Sequence, residues 1–310
     1  MTKVFIDGSS GTTGLRIRER LESRADIELL ILPEELRKDP AAVKQALNDS
    51  DIAFLCLPDA AAKEAVAMVE NPHTAIIDTS TAHRTAPGWT YGFAELSPEQ
   101  RGAIKESKRI ANPGCHASGF IALVMPLVNA GLIAPDTAFS CFSLTGYSGG
   151  GKSMIAQYAD PHRDPLLDAP RQYGLSQSHK HLPEMLALTG LRRAPAFCPI
   201  VADFYSGMEV TVPLFAEDLK NGAGPDSVRE IYRRLYTGPI VRYRDRADEE
   251  GFLSAAAFSG KDSMEISVSG NGDRLLLIAR YDNLGKGASG AAIQNMNLLM
   301  GVDETTGLDL

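Results

Sequence analysis

The chain lacks a long hydrophobic run. Its longest apolar stretch, Gly119 to Val128, is far short of the roughly 20 residues that cross a bilayer as a helix, so no membrane partner is expected. It also lacks a surplus of positive charge: 31 basic against 39 acidic side chains leave a formal charge of −8, a poor footing for nonspecific binding to nucleic acid. Cysteine is scarce, and Cys56, Cys115, Cys141 and Cys198 form no C-x-x-C pair, which argues against a disulfide scaffold and leaves room for a chemically active thiol. The opening Met1-Thr2-Lys3-Val4-Phe5-Ile6 runs into a strand-like segment without an apolar leader, so a cytoplasmic location is expected. There is no internal repeat and no low-complexity tract. What remains is an ordinary globular composition, 44% hydrophobic and 23% charged over 310 residues, enough for about two domains.

Up to Pro113 short apolar strands alternate with helical patterns. Val4 to Ile6, Ile27 to Leu32, Ile52 to Leu57 and Ala75 to Ile77 read as strands; Thr12 to Leu21, Ala41 to Leu47 and Ala60 to Val69 read as helices. Continuously apolar strands separated by helices signify a parallel sheet covered on both faces, hence a doubly wound α/β domain of Rossmann type. After Gly114 the pattern changes to one long helix from Cys115 to Leu132, then strands at Phe139 to Leu144, Val210 to Val212, Met264 to Val268 and Leu275 to Ile278. Asp226 to Tyr236 adds a helix, Ser269 to Asp273 a hairpin loop, and Ala288 to Met300 a last helix. The expected architecture is a dinucleotide-binding domain (1–117), an α+β domain with a mainly antiparallel sheet (118–285) and a C-terminal helix (286–310).

Gly8-Ser9-Ser10-Gly11-Thr12-Thr13-Gly14 follows the first strand and opens the first helix. Glycines there let the backbone turn and approach a pyrophosphate, whose charge suits the free N–H groups of the helix start. After the second strand, Glu34 and Glu35 would suit the ribose of NAD, whereas Arg37 and Lys38 would suit a 2′-phosphate; the reading leans to NADP(H), against solvated helix-flanking charges. Asp78 to Arg84 ends the fourth strand at the edge where ligands of such sheets bind, making Ser80 a cofactor contact and Arg84 an anion contact rather than a surface ion pair.

In Asn112-Pro113-Gly114-Cys115-His116, a Pro-Gly turn places Cys115 where a helix begins. Unsatisfied N–H groups there favour the thiolate, so Cys115 is the candidate nucleophile, while Cys56 and Cys141 sit among apolar strand residues. His179-Lys180-His181-Leu182-Pro183-Glu184 admits a metal site, an acid/base pair serving the cysteine, or a polar loop; with a cysteine in hand, a Cys–His pairing is preferred. His179 is favoured as base, with His181 and Glu184 in substrate binding or support. Gly146 to Ser153 matches the phosphate-loop spacing G-x-x-x-x-G-K with a final Ser or Thr. It lies in the strand-rich half and lacks a downstream strand with an Asp for Mg²⁺, so it is read as a glycine loop at the substrate, with Ser148 and Lys152 as contacts.

These motifs, together with Asp282-Asn283-Leu284-Gly285-Lys286-Gly287 near the end, resemble in order the N-acetyl-γ-glutamyl-phosphate reductases, in their shorter branch, and more distantly aspartate-semialdehyde and glyceraldehyde-3-phosphate dehydrogenases. Thr13 stands where Tyr is common in the longer branch, and Lys152 where Arg is usual. The resemblance implies an oxidoreductase of arginine biosynthesis in which NADPH reduces an acyl phosphate through a thioester on Cys115, in a homo-oligomer. It also implies that Asn112 contacts substrate and that Asn283, Lys286 and Gly287 lie at the cofactor. No metal is expected. A phosphate-loop ATPase, a related reductase of another acyl phosphate, and a non-enzymatic NADP-sensing module are the alternatives.

Overall fold

The computed structural model describes all 310 residues, which divide into two compact units. The first holds residues 1–94, 98–113 and 288–308; the second holds 95–97, 114–287 and 309–310. The border expected after residue 117 therefore falls at Pro113/Gly114, because the helix begun by Cys115 packs wholly within the second unit.

The first unit runs β1 (Thr2–Asp7), α1 (Thr12–Leu21), β2 (Ile27–Leu30), α2 (Pro40–Asp49), β3 (Ile52–Leu55), α3 (Asp59–Ala67), β4 (Ala75–Asp78), β5 (Thr90–Tyr91), α4 (Pro98–Glu106) and β6 (Arg109–Ala111). Every pairing in its sheet is parallel, in the order β2-β1-β3-β4-β6-β5. β3 and β4 are buried at every position, as their unbroken apolar runs require of strands covered on both faces. α2 starts where its sequence says it should: the Asp39 side chain accepts from the Ala42 N–H at 2.8 Å and Pro40 takes the first turn. The strand order reverses direction between β1 and β3, and the glycine loop leaves the end of β1 at that switch point.

The second unit runs α5 (Cys115–Asn129), β7 (Ser140–Gly146), α6 (Gly151–Ala159), β8 (Arg171–Gln172), α7 (Leu182–Thr189), β9 (Ala196–Ala202), β10 (Met208–Phe215), α8 (Pro225–Leu235), β11 (Val241–Arg244), β12 (Met264–Gly270) and β13 (Arg274–Tyr281). Its sheet, β11-β12-β13-β10-β7-β9-β8, is mixed: β11–β12 and β7–β9 are parallel and the other pairings antiparallel. α5 is apolar all round and buried from His116 to Leu127, the mark of a helix enclosed by its neighbours. Tyr236 Oη fastens α8's end to it by donating to the Ala122 carbonyl at 2.7 Å. On the sheet's other face Phe142 and Leu276 are 44% and 41% exposed.

After β13 a five-residue π-helical turn, Gly285–Ser289, leads into α9 (Gly290–Met300), which belongs to the first unit. There Ile293, Met296 and Leu298 pack with Ile17, Ile77 and Ile104, so the C-terminal helix covers the parallel sheet. In the first unit β5, β6 and α4 escape a reading by periodicity: two or three strand residues carry no period, and α4 buries only Ile104.

Candidate active site

The glycine loop is shaped by contacts with its own fold. Gly8 has φ +79°, and a Cβ there would lie 2.3 Å from the Cys56 carbonyl oxygen; a Cβ on Gly14 would lie 2.5 Å from that of Gly8. Neither position admits a side chain. α1 starts without a side-chain cap and without an acidic residue in its first turn, which leaves its first amides without a side-chain acceptor and favours an anion at that end. Beside them lies a cavity of about 350 Å³ lined by Gly8, Ser9, Ser10, Arg18, Glu34, Arg37 and Lys38 among others. This donor set fits a phosphorylated nucleotide: uncapped amides for a pyrophosphate and three cations for a further phosphate. Arg18, one helical turn past Gly14, is the cation missed by sequence reading.

Ser80 and Arg84 are engaged within the first unit. Ser80 Oγ donates to Asp78 at 2.7 Å, and the same carboxylate oxygen lies 2.6 Å from His83 Nδ1, with His83 stacked on Trp89. Arg84 donates to the carbonyls of Asn112 and Thr79 at 3.0 and 3.1 Å, joining the ends of β4 and β6. Asn112, expected at the substrate, donates to the Ala288 carbonyl at 3.0 Å and accepts from Asn295 at 3.2 Å. These buried bonds make Arg84 and Asn112 braces of the loops that carry them.

In the second unit a cavity of about 220 Å³ gathers Cys115, His116, Tyr173, His179, Lys180 and His181, with Gly146, Gly149, Gly150 and Met154. Cys115 opens α5, whose first turn has no side-chain cap. Tyr281 Oη donates to the Cys115 carbonyl at 2.6 Å and accepts from the Gly119 N–H at 3.0 Å, clamping that turn. Glu184, in the first turn of α7, accepts the Gly114 N–H at 3.1 Å and so ties the helix that follows His181 to the helix that begins with Cys115. A Cβ on Gly287 would come within 3.1 Å of Cys115 Cβ, closer than ordinary van der Waals contact, so glycine lets this segment lie against the cysteine without a shift. The other thiols differ: burial pushes Cys56 up to about 12 and raises Cys141 further.

The three imidazoles stand together, His116 5.5 and 5.6 Å from His179 and His181, and those two 4.8 Å apart, between ring centres. His116 is bonded at both nitrogens, Nδ1 to Ser143 Oγ at 2.6 Å and Nε2 to Tyr173 Oη at 2.7 Å. Burial, helped by the nearby His179 and Lys180, holds it down to about 3, so it stays neutral. His179 is lowered too, by burial and then by Lys180, and its Nδ1 accepts the His181 N–H at 3.2 Å. No grouping of His, Cys, Asp and Glu is arranged to hold a metal ion.

The glycine loop after β7 contributes backbone to this cavity through Gly146, Gly149 and Gly150, but Lys152 is exposed and outside the lining. The cation on the wall is Lys180, between the two histidines. Ser148 is buried and accepts from Asn283 Nδ2 at 3.0 Å, while Asn283 Oδ1 accepts from the Gly207 N–H at 2.9 Å. Lys286 is buried in an ion pair with Glu95 at 2.8 Å. Ser148, Asn283 and Lys286 thus brace the second unit. His116 and Tyr173 went unread as functional: His116 stands inside a motif quoted for its neighbour, and Tyr173 lies in a stretch with no motif.

A parallel nucleotide-binding sheet, followed by a mixed sheet whose buried helix starts with a cysteine, defines a class. Residues 33–104 match the semialdehyde dehydrogenase NAD binding domain and residues 115–283 match the semialdehyde dehydrogenase dimerisation domain; the chain belongs to the semialdehyde dehydrogenase family. The aspartate semialdehyde dehydrogenase II of Vibrio cholerae complexed with ASA has the same fold, with a TM-score of 0.73 at 16% identity over 97% of this chain and 98% of that one. The aspartate semialdehyde dehydrogenase of Francisella tularensis gives 0.70 at 15% identity over 97% and 100%.

Within the family the chain falls among the N-acetyl-γ-glutamyl-phosphate reductases. The proteins so named from Rhizobium meliloti (strain 1021) and Sinorhizobium medicae (strain WSM419) are 47% and 46% identical to it over 305 residues, 96% of this chain and 98% of theirs.

Proposed function

We propose that this chain reduces N-acetyl-γ-glutamyl phosphate to N-acetylglutamate semialdehyde with release of phosphate, a step of arginine biosynthesis. The observation that carries the reading is Cys115 at an uncapped helix start, sharing one small cavity with His179 and His181. NADPH, when bound along the Gly8 to Gly14 loop with its 2′-phosphate at Arg18, Arg37 and Lys38, supplies the hydride.

Cys115 attacks the acyl carbon as thiolate, the carbon–oxygen bond to phosphate breaks, and a thioester remains on sulfur. Hydride addition to that carbon makes a thiohemiacetal, whose collapse breaks the carbon–sulfur bond, frees the aldehyde and restores the thiolate. Charge on the acyl oxygen is met by the amides of α5's first turn. We assign the base to His181 in place of the expected His179. A neutral imidazole has one lone pair, and that of His179 already accepts the His181 N–H, so His179 orients and His181 takes the thiol proton.

Exposed Phe142 and Leu276, on the open face of a sheet that matches a dimerisation domain, support a homo-oligomer built on that face. Four free thiols, one of them needed reduced, suit the cytoplasm. The test is the reverse reaction: NADPH should form from N-acetylglutamate semialdehyde, NADP and phosphate, and not from aspartate semialdehyde. Loss of that activity in His181→Ala with partial retention in His179→Ala supports the assignment, and the opposite pattern restores His179 as base.

A further inference from the structure

His116 follows the nucleophile directly, yet it takes no part in the proton transfers above. Its imidazole is buried and bridges two hydroxyls, Ser143 Oγ on Nδ1 at 2.6 Å and Tyr173 Oη on Nε2 at 2.7 Å. A neutral ring offers one N–H and one lone pair, so only two proton arrangements are possible.

In the first, Ser143 donates to Nδ1, Nε2–H donates to the Tyr173 oxygen, and the tyrosine proton is left to point elsewhere. In the second, every donor reverses: Tyr173 donates to Nε2, Nδ1–H donates to Ser143, and the serine proton needs another acceptor. Ser143 is fully buried on β7, with the imidazole as its hydrogen-bond partner. The second arrangement leaves a buried donor unsatisfied, and the first does not. Tyr173 lines the same cavity as Cys115, where a spare hydroxyl proton has a use. Burial and the charge of Cys115 both raise the Tyr173 hydroxyl above its ordinary range, so it keeps that proton throughout turnover.

We propose that Tyr173 is a further catalytic residue whose hydroxyl donates a hydrogen bond to the acyl oxygen of the substrate held on Cys115, and that His116 and Ser143 are positioning residues that aim this proton. The inference rests on the reading of Cys115 as the thioester-forming nucleophile. Its logic is that of an oxyanion donor fixed in advance: the oxygen gains charge when sulfur or hydride adds to the carbon, and Tyr173 needs no reorientation to meet it.

The experiment is rapid mixing of N-acetylglutamate semialdehyde and NADP without phosphate, which reads NADPH formation up to the thioester. Tyr173→Phe should slow this first turnover by at least about tenfold, with the NADP Kd and the phosphate KM of the full reaction unchanged. Ser143→Ala, which frees the imidazole to reverse, should slow it several-fold in the otherwise native protein and have no further effect in Tyr173→Phe. An unchanged first turnover in Tyr173→Phe overturns the proposal, as does an effect confined to the phosphate KM, which would make Tyr173 a phosphate contact. Equal losses from Ser143→Ala in both backgrounds overturn the relay. If the native protein itself forms no NADPH, the proposed function has failed and takes this inference down with it.

Discussion

The two cavities are built on opposite plans. In the first unit the walls come largely from consecutive residues: the glycine turn Gly8 to Ser10, the apolar ends of β1 and β2 with Arg37 and Lys38 just beyond, and Arg18 from α1. In the second, beside glycine backbone and the exposed Lys180, they are side chains from separate segments that hold one another: His116 by Ser143 and Tyr173, His179 by the His181 N–H, the Cys115 turn by Tyr281. The first plan suits a ligand that brings its own charges and must come and go. The second suits chemistry, where reacting groups have to be in place beforehand.

The hardest blow to this contrast falls on Cys115. Cys115→Ser should lower turnover on the order of 10⁴-fold or more while leaving NADP affinity unchanged, since serine at neutral pH offers almost no alkoxide and the nucleotide cavity lies wholly in the first unit. Titration calorimetry and the reverse assay read the two halves separately. Iodoacetamide should label Cys115 ahead of Cys56 and Cys141, whose thiols burial pushes up. Near-normal semialdehyde turnover by Cys115→Ser would end covalent catalysis as an explanation.

The buried histidine provides the next largest effect, on stability. His116 has a folded pKa near 3, against about 6.5 when unfolded. Between those values the unfolded chain binds a proton that the folded one refuses, so stability is full above pH 6.5 and is lost as pH falls towards 3. The loss is on the order of a few kcal/mol. Urea unfolding at pH 7 and pH 5 should show a steeper decline for the native chain than for His116→Gln, which cannot take the proton. Equal slopes would mean that His116 is not held neutral.

These two plans also explain what could be read in advance. A cradle made by consecutive residues is a local pattern, so Gly8 to Gly14 was legible, as were the apolar strands beside it. Cys115 was legible because a helix start is local too. The partner of His116, Tyr173, lies 57 residues away on the far side of β7, and only the packing of β8 and β9 on β7 brings it in. β9 itself hides behind Pro199, and β6 spans only Arg109–Ala111. Motif spacing carries no direction either: the polar groups of Asn112, Asn283 and Lys286 are engaged by the Ala288 carbonyl, by Ser148 and by Glu95, partners that no local pattern names.

A smaller effect is expected on the nucleotide side. Arg37→Ala with Lys38→Ala should lower the NADP-to-NAD ratio of kcat/KM by about tenfold, a modest figure because both side chains are exposed and solvent screens them. Adding Arg18→Ala should lower it again. A ratio that does not move in the triple variant would remove the 2′-phosphate from this cavity.

The smallest effect separates two lysines that flank the same cavity in different ways. Lys152 completes the phosphate-loop spacing but is exposed on the first turn of α6, outside the lining, whereas Lys180 stands on the wall between His179 and His181. Lys152→Ala should therefore change kcat/KM by less than roughly twofold, the usual result for a surface side chain away from the chemistry. Lys180→Ala should raise the KM for the acyl phosphate several-fold, because an anionic substrate loses the cation on that wall. It should also raise the pKa of His179, since Lys180 adds to the burial that depresses it, and the imidazole proton shift followed by NMR against pH would show the change. The glycine loop should bind no Mg·ATP: β7 lies in a mixed sheet, antiparallel to β10 and parallel to β9, and the lysine a nucleotide would need is exposed. Micromolar Mg·ATP affinity that disappears in Lys152→Ala would reverse this reading and make the loop a nucleotide site after all.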